Sequence, residues 1–149
     1  MPLPPLKDQF DALLRLPSIS CTQADLDQSN LPVVELLASW LNDLGFECRI
    51  LPIANQPGKA NLLASFGSGP GGLVMAGHTD TVPCNPERWQ HNPFALTEAN
   101  NRWYGLGSCD MKGFFPLIIE AVRSYLNQPF KHPLIILATA DEESSMSGA

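Results

Sequence analysis

Positive charge is scarce in this 149-residue chain: 9 Lys+Arg stand against 15 Asp+Glu, a formal net charge of -6. Affinity that comes from neutralising phosphates needs the opposite balance, which argues against nucleic acid as a partner. Long hydrophobic runs are also missing, since none approaches the ~20 residues that span a bilayer. The opening MPLPPLKDQF lacks the basic segment and apolar core of a secretory leader. A cytoplasmic protein with no membrane partner is the expectation. Cysteine is sparse and scattered: Cys21, Cys48, Cys84 and Cys109 include no C-x-x-C pair. That pattern suits neither a disulfide scaffold nor a thiolate zinc site, so reduced thiols are expected. No internal repeat and no low-complexity tract is present.

A composition of 44% hydrophobic and 16% charged residues is that of one ordinary globular unit with a core. Fourteen prolines cut the chain into short segments. Phe10, Leu13 and Leu14 predict a helix from about Pro5 to Leu16, stopped by Pro17. Ser29 and Asn30 as caps, Pro32 in the first turn, apolar Val34, Leu37, Leu41 and Leu44, and Gly45 as a stop predict a second. Strands are predicted over Glu47 to Ile53, Asn61 to Phe66 and Leu73 to Ala76, the last apolar throughout, as a strand buried on both faces would be. After a loop-rich stretch from Pro83 to Cys109, Leu117, Ile118, Ala121, Val122, Tyr125 and Leu126 mark a long helix, and Leu134 to Ala138 a further apolar strand. The order predicts an α/β fold with a mixed, largely parallel central sheet flanked by helices.

On that scaffold the chemistry-bearing residues fall at strand ends. His78 and Asp80 follow one predicted strand, Asp141, Glu142 and Glu143 follow another, and Asp110 stands before a helix. Ligands of open α/β sheets bind outside the carboxyl ends of the strands, so these clusters are expected on one rim. Imidazole and carboxylates are the ligands zinc takes when thiolates are not used. In His78-Thr79-Asp80, alternate residues point the same way, so Asp80 can accept the imidazole's second N–H. Adjacent Glu142 and Glu143 diverge, which lets one hold metal while the other acts as a base on water. Alone, an H-x-D triplet or a Glu-Glu pair is more often surface or structure, and Asp110 could simply cap a helix; the coincidence of all three shifts the balance to metal. Asp141 is read as a loop or capping carboxylate, His91 and His132 as loop residues, and Cys109 as no nucleophile, since no His-based dyad accompanies it. Gly67-Ser68-Gly69-Pro70-Gly71-Gly72 matches G-x-G-x-x-G, but a strand rather than a helix follows it, so it is read as a hairpin loop between neighbouring strands.

The strings AGHTDTVP from Ala76, YGLGSCDMKG from Tyr104 and ATADEES from Ala138 resemble, in order and spacing, the co-catalytic zinc aminoacylase and carboxypeptidase family. LDQSN from Leu26, Arg88-Trp89, PFALTE from Pro93 and the closing ILATADEESSMSGA narrow the likeness to a deacetylase branch. The resemblance implies a zinc-exopeptidase-like fold, with two zinc ions (cobalt as a substitute) and hydrolysis of a small-molecule N-acyl amino acid. His78 would then be the ligand of one ion, Asp110 the bridge, Glu143 the ligand of the other, Glu142 the general base and Asp80 the support behind the histidine. A cis bond between Asp110 and Met111 is implied as well. Family members add two later ligands and a separate lid or dimerisation domain through which they form homodimers. By that likeness residues 1–149 are the N-terminal portion of a catalytic domain, expected to be inactive alone, weak in metal and prone to self-association. A related desuccinylase or carboxypeptidase, or a non-catalytic remnant, are the alternatives.

Overall fold

The structure, a computed structural model, describes residues 3–149; Met1 and Pro2 lie outside the described residues. Helix α1 spans Leu6–Leu14 and buries Phe10, Leu13 and Leu14 together with Gln9. Helix α2 spans Leu31–Asp43 and presents Val33, Val34, Leu37, Ala38, Trp40 and Leu41 to the core. Its end follows from Gly45 at φ +90°: Gly45 N–H donates to Asn42 O (2.9 Å) and Phe46 N–H to Leu41 O (3.0 Å), the paired bonds of a Schellman cap that only a left-handed residue permits cheaply.

Strands β1 (Glu47–Pro52), β2 (Ala60–Phe66), β3 (Leu73–His78) and, later, β6 (Leu134–Thr139) form one sheet in the order β1-β2-β6-β3. The sheet is mixed, flanked by helices, but it is not largely parallel: β1–β2 and β2–β6 are antiparallel, and only β3–β6 is parallel. The short 53–59 turn returns the chain directly and enforces the first antiparallel pair, whereas the parallel pair needs a crossover, supplied here by α3 (Phe114–Arg123). The glycine-rich segment is therefore not a hairpin between neighbours, because β6 inserts between β2 and β3. Its glycines serve a close crossing instead. A Cβ on Gly72, at φ +129°, would sit 2.3 Å from Pro133 O, and His132 Nδ1 lies 3.1 Å from Pro70 O.

The expectation that β3 is buried on both faces also fails. It is one of the two edge strands, with Leu73 61% and Val74 53% exposed, while the equally apolar β6 is central. The predicted long helix is α3, which buries Phe115, Ile118, Ile119 and Val122 and starts at Phe114. Asp110 lies before that start, so it caps no helix. The loop-rich stretch holds an unpredicted two-stranded ribbon, β4 (Thr97–Ala99) and β5 (Arg102–Tyr104), turned by Asn100 and Asn101 at φ 52° and 58°, the residues that adopt such angles most readily. No helix among the described residues is long and apolar enough to cross a membrane.

Candidate metal centre

The parallel β3–β6 pair sets the site, because it brings both carboxyl ends to one rim with His78 opposite Thr139. His78 closes β3, and Glu142 and Glu143 follow β6. Donor atoms of His78, Glu142 and Glu143 all lie within 4.8 Å of one another. Asp110 reaches in from the loop before α3, its Oδ1 3.2 Å from His78 Nε2, and Glu142 Oε2 stands 3.9 Å from the same nitrogen. The peptide bond between Asp110 and Met111 is cis. The residues singled out from the sequence are thus brought together. His91 packs instead on Tyr104, ring centroids 5.2 Å apart, and the four cysteines are free, Cys109 exposed beside Asp110.

Asp80 supports this cluster differently from the sequence-based expectation. His78 Nδ1 is 3.0 Å from the Asp80 carbonyl oxygen, while the carboxylate is farther off, at 3.6 Å. That carboxylate is occupied elsewhere: it accepts the N–H of Glu142 (3.2 Å) and of Glu143 (3.0 Å). Asp80 is wholly buried, so its oxygens are spent on the two main-chain donors that carry the glutamates. A proton on Nδ1 would donate to the Asp80 carbonyl and leave Nε2 with a lone pair toward Asp110 and Glu142.

The electrostatics agree with a cation-binding donor set. Asp80 beside it, with the Asp110 carboxylate adding to the effect, raises the His78 pKa to about 9 against the opposing pull of burial. Burial, reinforced by Asp110, Glu142 and Asp80, raises that of Glu143, the positive pull of His78 opposing it. Burial would raise Asp80 as well, yet His78 and the Glu142 and Glu143 amides hold it lowered. The imidazole keeps a proton because carboxylates crowd it, and one imidazole among carboxylates is a set suited to zinc. These residues fit such an ion.

Sequence reasoning missed how the glutamate loop is held. Asp141, at φ +63°, accepts hydroxyls from Ser144 (2.6 Å), Ser145 and Ser147 (2.9 Å), which fits its reading as a loop carboxylate. Burial works against these bonds, but they keep the acid well below the usual carboxylate range. Asn61 accepts the Ala140 N–H (2.9 Å) and donates to Gly148 O (2.6 Å), closing both ends of the loop onto β2. Asn30 stands at the N-cap of α2, as expected, but its side chain makes no cap hydrogen bond; its amide instead donates to Ala60 O (2.8 Å) and to Thr79 Oγ1 (2.7 Å) beside His78, and Ser29 Oγ takes the Leu31 N–H (3.2 Å). Two lysines are buried as well: Lys59 among acids, and Lys112, which donates to Leu16 O (2.9 Å) and is pushed down to about 8 by burial.

Residues 74–149 match the family described as "Peptidase family M20/M25/M40". Over 147 residues the chain is 54% identical to "Acetylornithine deacetylase" of Salmonella arizonae, covering 99% of this chain and 38% of that protein. The proteins of that name from Photorhabdus laumondii and Klebsiella pneumoniae are 53% and 54% identical over the same shares. The chain therefore spans 38% of the length of these curated relatives. Among solved structures, human carnosine dipeptidase 1 superposes with a TM-score of 0.79 at 23% identity, over 94% of this chain and 32% of that one. The M20 family metallo-carboxypeptidase Sso-CP2 from Sulfolobus solfataricus does so with a TM-score of 0.77 at 22% identity, over 95% and 32%. At these identities the two structures establish the fold.

Proposed function

Because the chain belongs to peptidase family M20/M25/M40, whose members are hydrolases, we propose that it carries the metal centre of an amidohydrolase that removes the acetyl group from N-acetylornithine, giving ornithine and acetate in arginine biosynthesis. The observation that carries the reading is the 54% identity over 99% of this chain to an acetylornithine deacetylase. The convergence of His78, Asp110, Glu142 and Glu143 on one rim supports it.

In this reading His78 would hold one zinc ion, Glu143 a second, and Asp110 would serve both, with cobalt as the alternative metal. Bound zinc would polarise the acetyl carbonyl and acidify water at the rim. Glu142 takes the proton of the attacking water and hands it to the leaving amine. Asp80 orients His78 through its carbonyl and the glutamates through its carboxylate. The further ligands, the lid or dimerisation domain and the homodimer contact are assigned to the part of such a protein that this chain does not span. The substrate is a small N-acyl amino acid, with neither nucleic acid nor membrane as partner, and the compartment is the cytoplasm.

The test is Glu142→Gln in a full-length protein. A general base contributes about 10²–10⁴-fold, so kcat on N-acetylornithine should fall by that factor while zinc content stays. Unchanged kcat would remove Glu142 from its role. Faster turnover of N-succinyl-diaminopimelate than of N-acetylornithine by the parent protein would replace the substrate.

A further inference from the structure

The glutamate loop hangs between two anchors. On the β3 side the anchor is the Asp80 carboxylate, which holds the Glu142 and Glu143 amides. On the β2 side lies Lys59, the residue before β2, only 3% exposed. Its Nζ donates to Asp27 Oδ1 (2.8 Å) and Ser20 Oγ (3.1 Å) and stands 3.9 Å from Asp141 Oδ1. Asp27 in turn accepts the Cys21 N–H at 3.0 Å. One buried cation thus joins the 20–27 loop, the start of β2 and the loop that carries the glutamates.

Asp141 matters because of where it sits. It immediately precedes Glu142 and adopts a left-handed conformation at φ +63°, which turns the chain so that the next two N–H groups meet Asp80. Aspartate tolerates this region better than most residues, but not without support. Its carboxylate is 5% exposed and gathers three serine hydroxyls, all neutral donors. A buried carboxylate is costly without an opposite charge, and Lys59 supplies it.

We propose that Lys59 is a positioning residue of the metal centre: by pairing with Asp141 and Asp27 it fixes the turn from which Glu142 and Glu143 diverge. The proposal rests on the metal reading of His78, Asp110, Glu142 and Glu143. Lys59 touches none of these residues by hydrogen bond and acts through the backbone of Asp141. The loss of an outer partner of this kind weakens metal affinity or turnover by about 10- to 100-fold.

The experiment compares full-length wild-type protein with Lys59→Met and Lys59→Gln, each loaded with cobalt(II) as the metal probe. Folding is read by far-UV circular dichroism, the centre by the cobalt visible absorption bands, and turnover as kcat and KM. Lys59→Gln keeps a donor for Asp27 but carries no charge, so it serves where the methionine does not fold. The expected result is a folded variant with shifted cobalt bands, kcat lower by about 10- to 100-fold, and KM within about threefold. Unchanged cobalt bands in a folded variant overturn the proposal whatever kcat does; loss of fold in both variants makes Lys59 a core residue and also overturns it. A His78→Ala control separates the two levels of argument. If the bands ignore His78, the metal reading fails; if they answer to His78 but not to Lys59, only the positioning role fails.

Discussion

Replacing Asp80 by asparagine isolates what its carboxylate does, because the change keeps the side-chain shape and leaves the main-chain carbonyl that faces His78 Nδ1. In the native protein two carboxylate oxygens meet two N–H donors, those of Glu142 and Glu143. An amide offers one acceptor, and its NH₂ group would face the other N–H. A hydrogen bond to a charged group is worth about 1.5–3 kcal/mol, and a stranded buried donor costs about 1–3 kcal/mol. Since the two figures overlap in part, Asp80→Asn should destabilise by about 2–4 kcal/mol, or roughly 4–16 °C in Tm for a domain of this size. Urea and thermal unfolding of the chain followed by circular dichroism measure it. The pH dependence gives a second check. Asp80 has a lowered folded pKa, so its contribution is present above the unfolded value of about 3.9 and is lost as pH falls through the folded one. The gap between the two proteins should hold at neutral pH and close in strong acid. An equal urea midpoint at pH 7, or a gap that persists when both side chains are neutral, would refute this account of the loop.

Gly72→Ala should cost at least about 2 kcal/mol, because its Cβ would stand 2.3 Å from Pro133 O at a φ of +129°; a urea titration within error of the parent would contradict the close crossing. Val74→Lys should raise the monomer fraction in light scattering, since Val74 lies 53% exposed on an edge strand, where an inserted charge blocks strand pairing; an unchanged mass at high concentration would place self-association elsewhere. In the metal-free chain the raised pKa of His78, about 9, makes its stabilising contribution complete below the unfolded value of about 6.5 and progressively lost as pH rises through the folded one. A stability profile flat from pH 6 to pH 10 would contradict that.

Most of the candidate site was legible because its residues close or follow apolar runs that end abruptly: His78 closes LVMAGH and Asp80 comes just after it, and the acidic triplet comes after LIILAT. Helix boundaries were legible for the same local reason, Gly45 and Pro17 being punctuation that acts within a turn. What could not be read was which apolar run is central. LVMA and LIILA are equivalent as strings, and only long-range pairing puts β6 inside and leaves β3 at the edge. The same ignorance made a hairpin of the glycine segment. Lys59 was invisible because a lysine beside a strand is usually solvated; its burial follows from acids at positions 27 and 141 that the fold brings to it. Asp80 was read as a partner of His78, correctly in place but not in atom, because the pattern of alternate side chains says nothing of the two main-chain donors that reach its carboxylate first.

Charge balance at the rim leads to one last expectation. Asp80, with Asp110, holds His78 protonated up to about 9 against the opposing pull of burial, and burial, reinforced by the neighbouring carboxylates, raises the pKa of Glu143; the crowding of carboxylates contributes to both shifts. A divalent ion bound there takes the place of the proton on Nε2, because a ligating imidazole must be neutral. At pH 7.5, below that value, His78 is almost wholly protonated, so each zinc ion bound at His78 should release about one proton. Isothermal titration in buffers of different ionisation enthalpy measures this directly: the apparent binding enthalpy should vary linearly with buffer ionisation enthalpy, with a slope near one proton, and the slope should diminish above pH 9. The affinity should strengthen over the same range as the competing proton is lost. His78→Ala should abolish the release. A slope of zero in the native protein would mean that zinc does not displace the His78 proton, and that the imidazole is not the ligand.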